Sequence, residues 1–335
     1  MDDSLLNLLV VITAVILLFA IMLSVYFTVA LVSRANDLEA EGDDASASAD
    51  ATYPYRKDGI TVNIPSMEES KNTIASDFMS SEKAILVDIT ANEIVASRQG
   101  GQMIYPASLT KVMTLIVVAE NLQTEDSLSD VITITHERGE NSGYTLIDVG
   151  EKLTVRDLIY AAILESDGVA CLELADYIAG SEANFVKLMN EKAAELGIGN
   201  TTLFQNCTGL HHQYHYSTCR DIAIIMAYAV QNPFCRSVLC AFSYSDMNED
   251  FCPDVANKTF YHNLLNKHLN GLKTQPNKAE ILGGKTGWTG KESGHCIVAY
   301  VKGDNGHYYI SVTAKADKMA SNVQDTINLF NEYVK

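Results

Sequence analysis

The sequence has short apolar runs near the two ends of the part expected to fold, and longer helical patterns lie between them. Runs rich in β-forming residues predict strands over residues 83–90, 93–98, 281–289, 294–303 and 307–315. Ala91-Asn92 suits a hairpin turn between the first two strands. The sequence GDNG at residues 303–306 predicts a second hairpin between the last two.

Apolar residues recur at helical spacing through the middle of the chain and again at its end. The predicted helices cover residues 108–122, two segments within 154–179, 182–197, 217–231 and about 318–333. The pair within 154–179 is interrupted at residues 166–168, where Ser-Asp-Gly is typical of a loop. Gly197 ends the predicted helix over residues 182–197. Ser217 or Thr218 caps the helix after it.

This arrangement of strands and helices predicts the fold class. Early strands, a helical middle and late strands in one chain favour an α+β fold. The simplest solution is a mostly antiparallel sheet formed by both ends of the chain and flanked by helices, with the middle helices making an all-helical lobe. A binding site is expected in the cleft between the sheet and that lobe.

The N-terminal part differs in composition from the rest. Residues 5–32 form a stretch of 28 residues without a charge. At about 1.5 Å per residue, such a helix exceeds a hydrocarbon core of roughly 30 Å. The chain begins Met1-Asp2-Asp3 instead of with a basic segment, so residues 1–34 are interpreted as a retained transmembrane anchor rather than a signal peptide. Cleavage after Ala35 stays open as an alternative.

The remaining domain boundaries follow from composition. Residues 35–55 are acidic, small and almost free of aromatic residues, so they are predicted to be a disordered linker. Residues 56–335 are predicted to be the folded domain, with no additional C-terminal domain. A single basic residue beside the anchor, Arg34, is a weak signal that its C-terminal side faces the cytoplasm.

Charge and cysteine content exclude several kinds of partner. The formal net charge of -18 argues against nucleic acid and against a surface that binds anionic lipid. The seven cysteines lack metal-binding spacing, and no cofactor or metal is expected. Disulfides between Cys207 and Cys219, or among Cys235, Cys240 and Cys252, stay open. The histidines at 211, 212 and 215 have a structural interpretation, because no carboxylate or cysteine completes a metal-binding set.

The segment YPASLTKVMT, residues 105–114, places a serine and a lysine three residues apart at a predicted helix start. Residues three apart share one helix face. A serine hydroxyl becomes a good nucleophile when a neighbouring base takes its proton. Ser108 is therefore a candidate nucleophile and Lys111 its candidate base. The alternative is an ordinary helix start with an outward-facing lysine.

A second motif lies in GGKTGWTGKESGHC, residues 283–296. Lys285 and Thr286 on a predicted strand are candidate ligands for a carboxylate. Gly287 allows a substrate backbone to lie close along the strand. The backbone N–H of Trp288 is a candidate oxyanion donor, together with that of Ser108.

Five segments, in order along the chain, carry a resemblance to a known family. They are YPASLTKVMT (105–114), VGEKLTVRDLIYAAILESDGVA (149–170), NCTGLHHQYHYSTCRDIA (206–223), YHNLLNK (261–267) and GGKTGWTGKESGHC (283–296). From about Ser80 to Lys335, the chain resembles the penicillin-binding serine DD-peptidases, in particular the low-molecular-mass D-alanyl-D-alanine carboxypeptidases. The resemblance implies a β-lactamase/DD-peptidase-like fold.

The resemblance also implies roles for individual residues. Ser108 would be the acylated nucleophile and Lys111 its base. Ser166 would pass a proton between Lys111 and the leaving amine. The pair Lys285 and Thr286 would bind the terminal carboxylate, and Trp288 would supply a backbone oxyanion donor.

Two departures from the family pattern stand out. The family has Ser-x-Asn on the loop between the two central helices, whereas this chain has Ser166-Asp167-Gly168. Losing one polar contact to a buried partner typically costs about 1–3 kcal/mol. Near the C-terminus, where the family often has an arginine, this chain offers only Lys315 or Lys318.

The function implied by the resemblance is removal of the terminal D-alanine from peptidoglycan stem peptides, through an acyl-enzyme on Ser108. β-Lactam antibiotics would acylate the same serine. Because that substrate lies outside the cytoplasm, the protein is expected to be a single-pass cell-membrane protein with an extracytoplasmic catalytic domain. Two alternatives stay open: a class A-like β-lactamase, which Ser166-Asp167 resembles, and a catalytically impaired penicillin-binding pseudoenzyme, which Gly168 favours.

Overall fold

A computed structural model describes residues 62, 64, 66, 69–140, 142–245, 258–268 and 279–334. The predicted anchor (1–34) and linker (35–55) lie outside the described residues, as does Cys252. Within the described part of the chain, no single helix is long and apolar enough to cross a membrane, and the one helix pair that qualifies jointly, Cys219–Gln231 with Pro233–Cys240, is bent by 109°.

The described strands are β1 (Lys83–Asp88), β2 (Glu93–Arg98), β3 (Met103–Ile104), β4 (Val131–Thr133), β5 (Lys152–Thr154), β6 (Ser217–Thr218), β7 (Ser243–Ser245), β8 (Thr259–Tyr261), β9 (Ala279–Gly287), β10 (His295–Gly303) and β11 (Tyr308–Ala316). The described α-helices are α1 (Lys111–Asn121), α2 (Val155–Tyr160), α3 (Gly168–Ala179), α4 (Glu182–Glu195), α5 (Cys219–Gln231), α6 (Pro233–Cys240) and α7 (Met319–Tyr333). Two segments, Ala161–Glu165 and Asn263–His268, are π-helical, and Ala107–Thr110 and Asp126–Ser129 are 3-10 turns.

The main sheet joins both ends of the folded part, as the strand pattern predicts. Its five strands run in the order β2-β1-β11-β10-β9, and every neighbouring pair is antiparallel. Successive side chains of a strand point to opposite faces. In β1, Ile85 packs into the core shared with the helical part of the chain, whereas Leu86 packs into the core beneath α7. Both faces are covered, and β9 is left as the edge strand beside the site.

Local signals explain most helix boundaries. The Thr218 side chain caps α5 by accepting a hydrogen bond from the Asp221 N–H. Gly197, with a positive φ of 73°, follows the end of α4. The prediction that Ser108 lies in an α-helix is wrong in detail. The regular helix begins at Lys111, and Ser108 lies in the 3-10 turn that precedes it.

Candidate active site

A cavity of about 600 Å³ opens beside the edge strand β9. The sequence-predicted residues Ser108, Lys111, Ser166, Thr286, Gly287 and Trp288 all line it. The wall also contains residues to which the sequence analysis assigned no role in the site, among them Glu140, Ser142, Glu165, Asn263 and Lys267. The structure therefore brings the two motifs and the loop of residues 166–168 to one cavity, between the sheet and the helical lobe.

Ser108 and Lys111 are within hydrogen-bonding reach. The Lys111 Nζ atom lies 3.2 Å from the Ser108 Oγ atom and donates a hydrogen bond to the Thr208 carbonyl oxygen at 2.5 Å. Only 2% of Lys111 is exposed. In a 3-10 turn, residues three apart are eclipsed, which places the two side chains one above the other. The alternative of an outward-facing lysine is therefore wrong.

The backbone at Ser108 is enclosed by two glycines. A Cβ atom added to Gly209 would lie 2.1 Å from the Ala107 carbonyl oxygen, and one added to Gly287 would lie 3.1 Å from the Ser108 nitrogen. Ala107 itself has a positive φ of 48°, a conformation that non-glycine residues seldom adopt. The close approach of Gly287 places the end of β9 directly against the turn that carries Ser108.

Lys285 on β9 does not itself line the cavity, but it contacts Ser166, which does. Its Nζ atom donates hydrogen bonds to the Ser166 Oγ at 2.9 Å and to the Thr286 carbonyl oxygen at 3.0 Å. The side chain is 1% exposed, and burial, reinforced by the nearby charge of Lys111, holds the pKa of Lys285 well below its usual value. Ser166 has a left-handed backbone, with a φ of 66°, that follows the π-helical turn.

Asp167 and Gly168 form hydrogen bonds to a neighbouring loop, residues 142–147. The Asp167 carboxylate caps α3 through the Ala170 N–H at 3.0 Å and binds the Thr145 hydroxyl and the Leu146 N–H at 2.8 and 2.7 Å. The Gly168 N–H donates to the Tyr144 carbonyl oxygen at 2.8 Å. Asp167 is fully buried, and burial raises the pKa of its carboxyl group despite these hydrogen bonds.

Comparisons with known proteins show the family of the chain. Residues 70–318 match the model of a family described as Peptidase S11, D-alanyl-D-alanine carboxypeptidase. The chain belongs to this family. It is 30% identical over 226 residues to D-alanyl-D-alanine carboxypeptidase DacF of Bacillus subtilis (strain 168), a match that covers 67% of this chain and 54% of DacF. The chain therefore spans about half the length of this curated relative.

Solved structures support the same fold. The chain is 25% identical to penicillin binding protein 5 from Haemophilus influenzae, with a TM-score of 0.63 over 77% of this chain and 72% of that one. Penicillin-Binding Protein D2 from Listeria monocytogenes, solved in its cefotaxime-bound form, shares the fold at 21% identity, with a TM-score of 0.65 over 78% of this chain and 100% of that one. The α+β, DD-peptidase-like fold predicted from the sequence is confirmed.

Gly168, where the resemblance predicts the asparagine of a Ser-x-Asn motif, lies directly against a neighbouring loop. A Cβ atom at Gly168 would lie 1.5 Å from the Ser142 carbonyl oxygen. No side chain, and therefore no asparagine, fits at position 168 while this loop stays in place. The family's third motif contributes only Ser166 to the cavity.

The other candidates from the sequence occupy structural positions. The buried His215 accepts the Gln205 N–H at Nδ1, so Nε2 carries the proton and donates to the Thr110 hydroxyl at 2.8 Å. His211 stands edge-on to Tyr105. Among the described residues, no group of three or more His, Cys, Asp or Glu side chains is placed to hold a metal ion. The six described cysteines, at 171, 207, 219, 235, 240 and 296, are free.

The remaining predicted positions are Trp288 and the two lysines near the C-terminus, Lys315 and Lys318. Trp288 is 59% exposed and stacks on His295, with ring centroids 5.8 Å apart. It presents an open aromatic face at the cavity mouth. Lys315 pairs with Glu82 at 3.3 Å, and neither Lys315 nor Lys318 belongs to the cavity wall, although Met319 does.

Proposed function

We propose that this protein is a serine-type D-Ala-D-Ala carboxypeptidase that removes the terminal D-alanine from peptidoglycan stem peptides. The observation that carries the proposal is the distance of 3.2 Å between the Lys111 Nζ and the Ser108 Oγ, in a cavity that also contains Ser166 and the end of β9. A serine and a base in hydrogen-bonding reach are the minimum for acyl transfer. Membership of the carboxypeptidase family supports the choice of substrate.

In this proposal, Lys111 takes the proton from the Ser108 hydroxyl while Oγ attacks the carbonyl carbon between the two D-alanines. The backbone N–H groups of Ser108 and Trp288 stabilise the oxyanion. Ser166 passes a proton to the leaving amine, free D-alanine departs, and an ester remains on Ser108. Water, activated in the same way, hydrolyses that ester and restores the serine.

The terminal carboxylate of the substrate is bound by Lys285 and Thr286. A carboxylate beside Lys285 favours its protonated form, because opposite charges at close range stabilise each other. Gly287 leaves room for the substrate backbone along β9. β-Lactams combine a strained amide with a carboxylate, so they are expected to acylate Ser108 in the same pose.

Residues 1–34 are proposed to anchor the protein in the cell membrane, with the catalytic domain on the extracytoplasmic side. The uncharged stretch of 28 residues supports the anchor, and the location of peptidoglycan outside the cytoplasm supports the orientation. Membrane fractionation and protease accessibility of intact cells test this part separately from the chemistry.

The full-length protein in detergent is incubated with a fluorescent penicillin and, separately, with a peptide ending in D-Ala-D-Ala, beside a Ser108→Ala control. We expect labelling and D-alanine release by the wild type and neither by the variant. Labelling without release identifies a penicillin-binding protein that does not turn over. Hydrolysis of the penicillin in preference to the peptide supports a β-lactamase, and a folded wild type without labelling excludes Ser108 as the nucleophile.

A further inference from the structure

One carboxamide in the cavity wall has no hydrogen-bond partner in the part of the chain that the structure describes. Asn263 is half-buried and lines the cavity together with Glu165, Ser166 and Lys267. Among the residues that the structure describes, its side chain makes no hydrogen bond. Because Gly168 cannot carry a side chain beneath the Ser142 carbonyl, Asn263 is the asparagine that this wall of the cavity does provide.

Glu165 holds the segment of Asn263 against the Ser166 loop. One of its carboxylate oxygens accepts the Tyr261 N–H at 2.8 Å, and the other lies 2.5 Å from the Lys267 Nζ. These two contacts fall on either side of Asn263 in the chain. Glu165 is 3% exposed, and charge-assisted hydrogen bonds of a buried carboxylate are strong. The residue just before Ser166 therefore fixes where Asn263 stands.

His262 fixes the same segment from the core side. Its Nδ1 accepts the N–H groups of Leu264 and Leu265 at 3.1 and 3.3 Å, so Nε2 carries the proton and donates to the Leu239 carbonyl oxygen at 3.0 Å. The backbone is thus held on both sides of Asn263. A polar group that is held in place and left unpaired in a cavity is preorganised for a ligand.

We propose that Asn263 is a substrate-binding residue whose carboxamide hydrogen-bonds a peptide unit of the bound stem peptide, and that Glu165 is its positioning residue. A carboxamide both donates and accepts, which matches the N–H and C=O of one peptide unit. Asn263 thereby supplies a contact that position 168 cannot make. The inference rests on the proposed function, since it takes a D-Ala-D-Ala peptide as the ligand.

Binding can be measured without turnover in the Ser108→Ala protein. Trp288, the only tryptophan of the chain, lies in the cavity wall, so its fluorescence reports on ligand binding. Titration calorimetry measures the same binding independently. The full-length variant is titrated with an acylated tripeptide that ends in D-Ala-D-Ala. Adding Asn263→Ala is expected to raise the Kd about tenfold, as for loss of one hydrogen bond to a preorganised group.

The matched control is Asn266→Ala, which makes the same change in the same π-helical turn at a residue outside the cavity wall. It is expected to leave the Kd unchanged. Equal Kd values for the two variants, with unfolding midpoints matching the parent, overturn the inference. Asn263→Asp provides a second variant: it keeps the shape but loses the donor and adds a negative charge, so it should also weaken binding.

The role of Glu165 is tested by a double-mutant cycle. If Glu165 acts through Asn263, Glu165→Gln weakens binding on its own but adds nothing in the Asn263→Ala background. If the two substitutions change the binding free energy additively, Glu165 is not a positioning residue for Asn263. D-alanine release by the wild type, lost in Ser108→Ala, checks the proposed function independently. If the wild type releases D-alanine but Asn263→Ala leaves the Kd unchanged, only the inference about Asn263 is wrong. If the wild type releases no D-alanine and the protein binds no peptide, the proposed function is wrong as well.

Discussion

The Nζ atom of Lys285 lies 2.9 Å from the Oγ atom of Ser166, although the two residues are 119 positions apart in the chain. This contact ties the edge strand to the loop between the central helices, whose Ser166 lines the cavity. Lys285 is 1% exposed and has no carboxylate among its hydrogen-bond partners. The protein therefore keeps a buried lysine amine whose protonated form would be stabilised by the carboxylate of a bound substrate.

Replacing Lys285 with methionine should stabilise the fold and abolish function. Burial lowers the pKa of Lys285, so at neutral pH the folded state bears a desolvation cost that the unfolded state lacks. We expect Lys285→Met to raise the free energy of unfolding by about 1–3 kcal/mol at neutral pH. That advantage should shrink as the pH rises from the lowered pKa towards about 10.4, where the unfolded lysine also loses its proton.

Urea unfolding of both proteins at several pH values measures this difference, and penicillin labelling measures the function. Lys302→Met, on the neighbouring strand β10, is the control: Lys302 lies at a half-exposed position on the sheet, and its replacement should leave labelling intact. A Lys285→Met protein that is less stable than the wild type at neutral pH contradicts the argument from burial.

Introducing the family's asparagine at position 168 should damage this protein rather than improve it. Any Cβ atom there would lie 1.5 Å from the Ser142 carbonyl oxygen, so the loop of residues 142–147 must move. We expect Gly168→Asn and Gly168→Ala to lose about 1–3 kcal/mol or more of stability, with reduced D-alanine release. Gly139→Asn, in the same loop but with open space around it, is the matched control. Higher D-alanine release by Gly168→Asn would contradict this prediction and show that the loop moves aside at little energetic cost.

Much of the fold was predictable because its signals are local. The β-rich runs around Ala91-Asn92 and the turn after β10 predicted two strand pairs, β1 with β2 and β10 with β11, and each pair lies side by side in the sheet. The spacing of Ser108 and Lys111 predicted their contact, since both belong to one turn. The short helix α6 and the π-helical character of two segments were missed, because a helix of about two turns or a widened turn is too short to show a distinct hydrophobic period.

The rest of the site depends on contacts between distant positions, which single-sequence patterns do not encode. Glu165 meets the backbone of Tyr261 across 96 positions, and nothing in either segment marks the pair. Position 168 illustrates the same limit: the sequence shows that asparagine is missing, but only the structure shows the Ser142 carbonyl in its place. The site roles carried over from the family resemblance stay predictions until the serine is tested.

Two buried histidines should make the fold sensitive to acid. Desolvation lowers the pKa of both His215 and His262 to about 3, whereas an unfolded histidine titrates near 6.5. Between these values the unfolded state binds more protons, so stability falls as the pH drops through that window, by up to about 1.4 kcal/mol per pH unit for each histidine. Denaturant unfolding between pH 7 and pH 4 measures the slope.

Variants assign that slope to the two rings. His215→Gln should cost stability at neutral pH, since the bond to Thr110 is lost, yet give a shallower dependence on pH. His262→Gln tests the second ring in the same way and should also give a shallower dependence on pH. An unchanged slope in His215→Gln would mean that carboxyl groups, rather than this ring, govern the acid sensitivity.

A buried ion pair far from the cavity should affect stability without affecting chemistry. The Lys192 Nζ on α4 lies 2.8 Å from a Glu120 carboxylate oxygen and 2.5 Å from one of Glu195, and the Lys192 and Glu120 side chains are only 6% and 3% exposed. Removing one partner of such a pair leaves a buried charge uncompensated, so Lys192→Met should cost about 3–5 kcal/mol. Thermal and urea unfolding measure the loss, and penicillin labelling at low temperature should be unchanged.

The same substitution at the exposed Lys187 of the same helix is the control and should change stability by less than about 0.5 kcal/mol. Adding Glu120→Gln to Lys192→Met should recover part of the loss, because the stranded carboxylate is then neutral. If the double variant is as unstable as Lys192→Met alone, the cost comes from lost packing of the lysine stem instead of from the unpaired charge. In either case the cavity is not involved, since neither Lys192 nor Glu120 lines it.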